Sequence, residues 1–314
     1  MSDKKQENLF YHQPRTAIQS VYYDFHVRNG RGACMFPFID EPHLHYLARY
    51  VLMNEFHRRL HPFTFLEPGD TAVMVGVHDG FIELGYSTLF IMSAIVGPRG
   101  HVYAIDPDER NIRAIEQYCR KNNVENITTI QQGVWSEKAT LEFTFFRDFS
   151  SSNEVRTLFD GQRDTCEQLW GAQRIERESY TQAVEVDTLD AIIERSVGEA
   201  VDFLNVTING AEGAAITGAS RLIQRPSLKI AFPLQRLDDP LYKTLADAGF
   251  RIAVADAPTK AWDETQFLYG CATRDSSNSL RERGFVPAVL HTDPDHPHLF
   301  DIGSNCTAVE TVGD

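Results

Sequence analysis

Two short apolar strands, each followed by a turn that can open a helix, constrain the fold of this chain more than any other feature. The first unit reads Thr71-Ala-Val-Met-Val-Gly-Val-His-Asp-Gly80, and the second reads His101-Val-Tyr-Ala-Ile-Asp-Pro-Asp108. A glycine-bearing turn lets backbone approach a ligand at a helix N-terminus, and a carboxylate that ends the second strand can chelate the vicinal hydroxyls of a ribose. This pairing predicts a nucleoside cofactor.

The region that follows alternates short apolar strands with amphipathic helices. Such strands are typical of a parallel sheet covered by helices on both faces, and right-handed crossovers place the ligand at the carboxyl ends of the strands. The sequence therefore predicts an α/β, Rossmann-like fold. Strands are expected at 71–76, 101–106, 127–131, 201–208, 228–232, 251–255 and 266–272, and helices at 87–96, 108–121, 188–196, 211–224 and 238–248.

Three segments are expected along the chain. Residues 1–66 are rich in aromatic residues and predict a helical N-terminal extension that is a lid or packs on the main domain. The main domain spans 67–275, and 276–314 form a C-terminal tail. Within the main domain, residues 141–146 alternate like a strand, and a polar excursion over 147–182 follows them.

The turn after the first strand offers a cradle for a cofactor, formed by Gly76, His78, Asp79 and Gly80. An ordinary strand-to-helix turn would have the same glycines. A dinucleotide site needs a glycine two positions after the first, where this chain has His78, because a side chain there crowds a pyrophosphate. The aminoacyl end of S-adenosylmethionine tolerates it, so the pattern favours that cofactor over NAD.

Three further residues are candidates for holding the nucleoside. Asp106 is the candidate for the ribose hydroxyls, although an Asp before a Pro is also a good helix N-cap. Gln132 and Gly133 follow the third strand, where the adenine edge would lie, and Gln132 can hydrogen-bond that edge. Trp135 could stack on the ring or simply pack.

The fourth long strand carries polar residues inside an apolar context. Asn205, Thr207 and Asn209 alternate along one face, and buried polar side chains need partners. Asn209 and Glu212 lie toward the carboxyl end, so each is a candidate site residue or a cap. For a reaction that removes a proton from an acceptor, His78 and Glu212 are the candidate general bases. His78 is expected to titrate near neutrality, whereas Glu212 would need a raised pKa.

Composition restricts the partners. The formal net charge of -14 argues against a nucleic-acid backbone as the main partner, and no run reaches the about 18 apolar residues of a membrane span. The five cysteines show no metal or redox spacing, so reduced thiols and a cytoplasmic location are expected. The histidine clusters lack a third ligand at recognisable spacing, so no metal is expected.

Four segments in order resemble the FkbM-family methyltransferases. They are Gly76-(x)3-Gly80, the run from Gly97 to Asp108, Val186-Asp-Thr-Leu-Asp190, and the run from Val201 to Glu212. The resemblance covers about residues 68–275. It implies a Rossmann-like class I methyltransferase fold with a seven-stranded, mostly parallel sheet, S-adenosylmethionine as cofactor, and O-methylation of a hydroxyl on a sugar, polyketide or similar small molecule.

The chain departs from the family pattern at four positions. Asn205, Thr207 and Asn209 stand where the family has Lys, Asp and Glu, and Met74 stands where it has an acidic residue. Two alternatives to an active methyltransferase therefore remain. One is a catalytically degenerate methyltransferase fold that serves as a binding or scaffold protein, and the other is a nicotinamide-dependent oxidoreductase.

Overall fold

A computed structural model describes residues 61–77, 88–147, 153–161, 163, 172–198, 200–233, 240–255, 269–282, 285–287, 289–290 and 300–301. Three of the predicted cofactor-loop residues, His78, Asp79 and Gly80, lie outside these ranges. The same holds for residues 1–60 of the expected N-terminal extension and for most of the expected tail.

The described strands and helices follow the alternating order that the sequence predicts. The strands are β1 (Thr71–Val75), β2 (His101–Asp106), β3 (Ile127–Gln131), β4 (Gly133–Val134), β5 (Ala139–Phe146), β6 (Glu154–Val155), β7 (Ser179–Asp187), β8 (Phe203–Val206), β9 (Lys229–Pro233), β10 (Arg251–Ala255), β11 (Tyr269–Thr273), β12 (Phe285–Pro287), β13 (Val289–Leu290) and β14 (Phe300–Asp301). The helices are α1 (Thr88–Val96), α2 (Glu109–Asn122), α3 (Ala172–Glu178), α4 (Leu189–Ser196), α5 (Glu212–Thr217), α6 (Pro240–Asp247) and α7 (Ser277–Glu282).

The main sheet has the strand order β12-β10-β11-β9-β8-β1-β2-β3. Strands β3, β2, β1, β8 and β9 are parallel, whereas β11 is antiparallel to both of its neighbours. All seven predicted strands lie in this sheet. The chain runs outward from β1 through β2 to β3 and then returns to β8 on the other side. The order therefore reverses between β1 and β8, where α/β sheets of this kind bind ligands.

Helices cover both faces of the main sheet, which confirms the predicted architecture. On one face, α1 and α2 pack on a core that includes Ala72, Met74 and Phe203. On the other face, α4, α5 and α6 pack on Val73, Val75 and other residues of the second core. The alternation of these buried residues along β1 follows from the two-residue repeat of a strand.

The sheet extends beyond the expected boundary at residue 275. Strand β12 pairs with β10 as an additional edge strand, and Leu280 of α7 is fully buried in the first core. At the other end, the short 3-10 helix His61–Phe65 contributes Phe63 and Phe65 to the same core. The division into three segments thus remains a prediction, with residues on both sides of its boundaries packed into one core.

A second sheet of order β4-β7-β5-β6 is inserted between β3 and β8. The predicted strand at 141–146 is present in β5. The expectation of a polar excursion over 147–182 is wrong in part, because this stretch contains β6, a helical turn at 156–161, α3 and the start of β7. Strand β7 pairs antiparallel with β5 from Ala139↔Val186 to Phe146↔Ser179, and much of its polar sequence is exposed.

Two predicted helix boundaries also differ. The helix expected at 211–224 is interrupted, since α5 ends before Gly218 and a separate 3-10 helix spans Leu222–Gln224. A Cβ at Gly218 would overlap the carbonyl oxygen of Trp135, so the chain approaches too closely there for any other residue. The N-cap of α2 is Asp108, whose side chain accepts from the backbone N–H of Arg110, and not Asp106.

Candidate functional site

The carboxyl ends of four neighbouring strands are joined by backbone hydrogen bonds that continue past the strands themselves. These bonds link β8 to β1, β1 to β2 and β2 to β3, and they run from Thr207 N to Val75 O (2.9 Å), from Gly76 N to Ile105 O (2.9 Å) and from Gln132 N to Asp106 O (3.2 Å). The predicted site residues Gly76, Asp106 and Gln132 therefore lie side by side at one edge of the sheet.

Asp106 is almost fully buried at the centre of this edge. Its Oδ2 accepts from the N–H of Val77 at 2.8 Å, and its Oδ1 accepts from the N–H of Asp108 at 2.8 Å. Burial raises the pKa of Asp106 from 3.8 to about 7, although the hydrogen bonds from Val77, Asp108 and Asn111 act in the opposite direction. A buried carboxyl with a pKa near neutrality, located at the switch point of the sheet, is typical of a functional position.

Asn111 of α2 is a neighbour that the sequence interpretation missed. Its Nδ2 donates to the carbonyl of Val77 at 2.6 Å and to Oδ1 of Asp106 at 3.1 Å. The backbone N–H of Val77, which directly follows Gly76, is thus bound by Asp106, and its carbonyl is bound by Asn111. The available signal was the position of Asn111 on the first turn of α2, which points back at the end of β2.

Gly76 is required by the packing of the two central turns. Its φ is +82°, and a Cβ on this residue would overlap the carbonyl oxygen of Thr207 and lie 2.8 Å from Cγ2 of Ile208. The turn after β1 therefore lies directly against the turn after β8. This contact alone explains why position 76 requires a glycine, without reference to a ligand.

Gln132 and Gly133 connect the main sheet to the inserted one. Gln132 is half-buried, and its Nε2 donates to the carbonyl of Glu185 at 2.8 Å. Gly133 is buried, and a Cβ there would lie 2.7 Å from Cγ1 of Val186. Trp135, for which stacking and packing were both open, packs against the core of the inserted sheet.

Glu212 holds the turn that follows β8. Its side chain is fully buried, and its two oxygens accept from the N–H groups of Ile208 (2.8 Å) and Gly210 (2.9 Å). Within the same turn, Asn209 adopts a φ of 52°, and its Nδ2 donates to the carbonyl of Asn153 at 2.9 Å. Asn209 thereby reaches the inserted sheet across the edge where Gly76 and Asp106 lie.

Asn205 of β8 contacts Thr207, which directly follows the strand. Asn205 is 1% exposed, and its Nδ2 donates to Oγ1 of Thr207 at 2.9 Å. Its Oδ1 has no hydrogen-bond partner among the described residues. The expectation that these polar side chains need partners is therefore met in part, through the contact of Asn205 with Thr207. Asn205 lies in the centre of the sheet, whereas Thr207 and Asn209 lie toward the ligand edge.

Asp108 is the centre of a second polar cluster, which the sequence interpretation did not identify. This residue is 4% exposed and pairs with the guanidinium of Arg110, at 2.6 Å between Nη2 and Oδ2. Oδ2 also accepts from Nδ2 of Asn153 at 2.7 Å. Asn153 lies in the stretch expected to be a polar loop, so its spacing from Asp108 gave no signal.

Two other properties concern the described part of the chain. No group of three or more His, Cys, Asp or Glu residues there is arranged to hold a metal ion. No helix in those same ranges has the length and apolar character needed to cross a membrane.

Comparisons with known proteins give one family. The model of the methyltransferase FkbM domain matches residues 75–252, and no curated protein matches the chain. A methyltransferase FkbM structure from Methylobacillus flagellatus is 17% identical with a TM-score of 0.40, and the alignment covers 81% of this chain and 61% of that one. This chain therefore spans less than two thirds of that structure's length.

Two further solved structures are similar at comparable levels. An S-adenosylmethionine-dependent O-methyltransferase from Thermotoga maritima is 14% identical with a TM-score of 0.39, over 71% of this chain and 65% of that one. Fibrillarin from Aeropyrum pernix, in complex with natively bound S-adenosylmethionine, is 16% identical with a TM-score of 0.34. The alignment covers 66% of this chain and 68% of that one. The assignment of the chain rests on the family match and on its own strand order.

Proposed function

We propose that this chain, which belongs to the FkbM methyltransferase family, transfers a methyl group to a hydroxyl oxygen of a small molecule. The observation that carries the proposal is the buried carboxyl of Asp106 at the end of β2, beside the reversal of strand order. S-adenosylmethionine is the cofactor, and it supplies the methyl group from its sulfonium centre.

The residues at the strand ends fit this cofactor. A carboxylate has about four acceptor positions, and Asp106 uses three of them in its contacts with Val77, Asp108 and Asn111. One position on Oδ2 is left for a ribose hydroxyl. We therefore propose that Asp106 accepts from one hydroxyl of the ribose, and that chelation of both would require one of its present donors to move.

The remaining candidates are proposed to hold the other parts of the cofactor. Gln132 donates through Nε2 to Glu185, so its Oε1 is available to accept from the amino group of adenine. Gly76, together with His78, Asp79 and Gly80 that follow it in the sequence, would hold the methionine portion. Asn209 acts through the turn after β8, and Gly133 acts through the close packing of β4 on Val186.

His78 and Glu212 remain the candidate general bases. In-line displacement needs the acceptor oxygen aligned with the methyl carbon and its proton removed as the bond forms. Glu212 is fully buried, and both of its oxygens accept backbone N–H groups, so its geometry suits a role in positioning the turn of Asn209. This favours His78 as the base. An acidic acceptor would need neither.

The acceptor is proposed to be a small molecule such as a sugar or polyketide, which the family resemblance implies. The formal net charge of -14 disfavours a polyanionic nucleic acid. Cys119 and Cys271 are both free thiols, which supports a reducing, cytoplasmic location.

Calorimetry with S-adenosylhomocysteine tests the cofactor site, with Asp106→Ala as the variant and Asp160→Ala, on the surface of the inserted region, as its control. We expect binding by the wild type and the control and a loss of at least about tenfold in affinity for Asp106→Ala. Absence of binding by the wild type would overturn the proposal.

Transfer of radiolabelled methyl to a panel of monosaccharides and hydroxylated aromatic compounds tests the reaction. Single-turnover rates of His78→Ala and Glu212→Gln then test the two bases, since a base whose removal leaves the rate intact is rejected. An increase in the fluorescence of NADH when it is mixed with the protein would instead support the oxidoreductase alternative.

A further inference from the structure

Asn153 connects the inserted sheet to both sides of the cofactor edge. Its Nδ2 donates to Oδ2 of Asp108, which follows β2, at 2.7 Å. Its carbonyl accepts from Nδ2 of Asn209, which follows β8, at 2.9 Å. Strand β1 lies between β2 and β8 in the sheet, so the two contacts reach across the end of β1.

The inserted sheet is fixed to this position by additional bonds near the end of β5. Oδ1 of Asn153 accepts from the N–H of Phe146 at 3.0 Å, and Arg110 donates through Nη2 to the carbonyl of Phe146 at 3.0 Å. Arg110 is in turn paired with Asp108. Asn153 therefore belongs to a closed network that joins the end of β5 to the start of α2.

The network is one hydrogen bond away from the proposed ribose carboxylate. The N–H of Asp108 donates to Oδ1 of Asp106 at 2.8 Å, so a displacement of Asp108 changes the donors around Asp106. On the other side, Asn209 shares its turn with Ile208, whose Cγ2 lies beside Gly76. Both ends of the Asn153 bridge thus lead to residues proposed to contact the cofactor.

We propose that Asn153 is a positioning residue of the cofactor site, which sets the separation of the turns after β2 and β8 through Asp108 and Asn209. The inference rests on the proposed function, because it assigns the bridge to the binding of S-adenosylmethionine. The inserted sheet is then part of the cofactor site, as the element that fixes its two walls.

The chemistry of the bridge allows a sharp substitution. Asn153→Asp keeps an oxygen that can accept from the N–H of Phe146, but it replaces the donor to Asp108 with a second carboxylate. Two carboxylates at hydrogen-bond distance repel each other in a site of low dielectric.

Calorimetry with S-adenosylhomocysteine on the full chain tests the proposal, with thermal unfolding measured on each variant. We expect Asn153→Asp to lose about tenfold or more in affinity, and Asn153→Ala to lose less, because it removes the donor without adding a charge. Arg156→Ala is the matched control. It removes a contact to Oγ1 of Thr181 within the inserted sheet at 2.7 Å, and it should leave the affinity unchanged.

A purely structural tie would lower the unfolding temperature of Asn153→Asp without changing its affinity below that temperature, and that result would overturn the proposal. An affinity of Asn153→Ala equal to that of the wild type would overturn it too. If Asn153→Asp does not fold, Asn153→Ala, which removes the donor without adding charge, provides the same comparison. Failure of the wild type to bind would instead reject the proposed function.

Discussion

Met74 on β1 and Asn205 on β8 are register partners at the centre of the sheet. Their side chains share a face, because Phe203 belongs to the same core as Met74 and residues two apart on a strand point the same way. These are two of the positions at which the family resemblance implies opposite charges. Both side chains are neutral in this chain, so the replacement of the two opposite charges leaves no buried charge unpaired. The departure from the family pattern at these positions therefore does not by itself indicate a degenerate site.

A double-mutant cycle tests whether these two positions are coupled. Met74→Asp and Asn205→Lys should each destabilise the fold by about 3–5 kcal/mol, because each places an unpaired charge in the core. The double variant should recover a substantial part of that loss. The measurement is the free energy of unfolding in urea, and a double variant that is as unstable as the sum of the single variants would show that the two side chains do not meet.

Gly76→Ala should be among the most destabilising single substitutions in the described part of the chain. The new Cβ would overlap the carbonyl oxygen of Thr207, in addition to the cost of about 1–2 kcal/mol for a non-glycine residue in the left-handed region. Gly69→Ala is the control, since Gly69 has a φ of +101° and nothing within 4 Å of its Cβ position. Equal losses in unfolding free energy for both variants would show that the overlap is relieved.

The main sheet was predictable because its strands are apolar on both faces. Residues of β1 and β8 such as Val73 and Leu204 are buried by helices or neighbouring strands, so their sequence reads as continuous apolar runs. Strand β7 was missed because Thr181, Gln182 and Ala183 are exposed, and only Val184 and Val186 mark the buried face. A sheet with one solvated face gives a weaker pattern.

The candidate site was predictable in its position but not in its contacts. Gly76, Asp106 and Gln132 each lie at the carboxyl end of a strand, and parallel strands bring such residues to one edge. In contrast, Asn153 is distant in sequence from Asp108 and Asn209, and a side-chain contact between separate sheets leaves no periodic signal. The close approach of Gly76 to Thr207 depends likewise on the packing of two turns, which a single strand pattern does not contain.

The stability of the protein should depend on the titration of Asp106. Its folded-state pKa of about 7 lies above its ordinary value of 3.8, so the folded state holds a proton that the unfolded chain releases between these values. The stabilisation is therefore fully present below pH 3.8 and is lost as the pH rises to about 7, by up to about 1.4 kcal/mol per pH unit. Urea unfolding of the wild type and of Asp106→Asn across this pH range measures how the slope of the unfolding free energy against pH differs between them.

Asp70→Asn is a useful comparison for that experiment. Burial also raises the pKa of Asp70, with the hydrogen bond from Glu67 acting against it, so this group contributes in the same direction. Asp70 lies directly before β1, at the opposite end of the strand from Gly76. If the slope of the unfolding free energy against pH is unchanged in Asp106→Asn but reduced in Asp70→Asn, the effect belongs to Asp70, which contradicts the prediction.

Cofactor affinity should change with pH in the opposite sense to this stabilisation. An ionised carboxylate accepts hydrogen bonds more strongly than a protonated carboxyl, so the proposed contact of Asp106 with a ribose hydroxyl should strengthen as the pH rises through about 7. Titration calorimetry with S-adenosylhomocysteine between pH 6 and 8 is expected to show rising affinity and, below pH 7, release of protons on binding. Binding without proton release at any pH would contradict the role of Asp106.

Glu212→Gln separates the two roles considered for this residue. An amide has one acceptor oxygen, whereas the N–H groups of Ile208 and Gly210 both donate to the buried side chain, so one of them would lose its partner. We expect a loss of about 1–3 kcal/mol in unfolding free energy, the cost of an unsatisfied buried donor. A general base would behave differently: the variant would keep its stability and lose single-turnover methyl transfer. Because both oxygens accept from the turn, we expect the loss of stability. Any change in the rate of single-turnover methyl transfer should then be no larger than the displacement of Asn209 would cause.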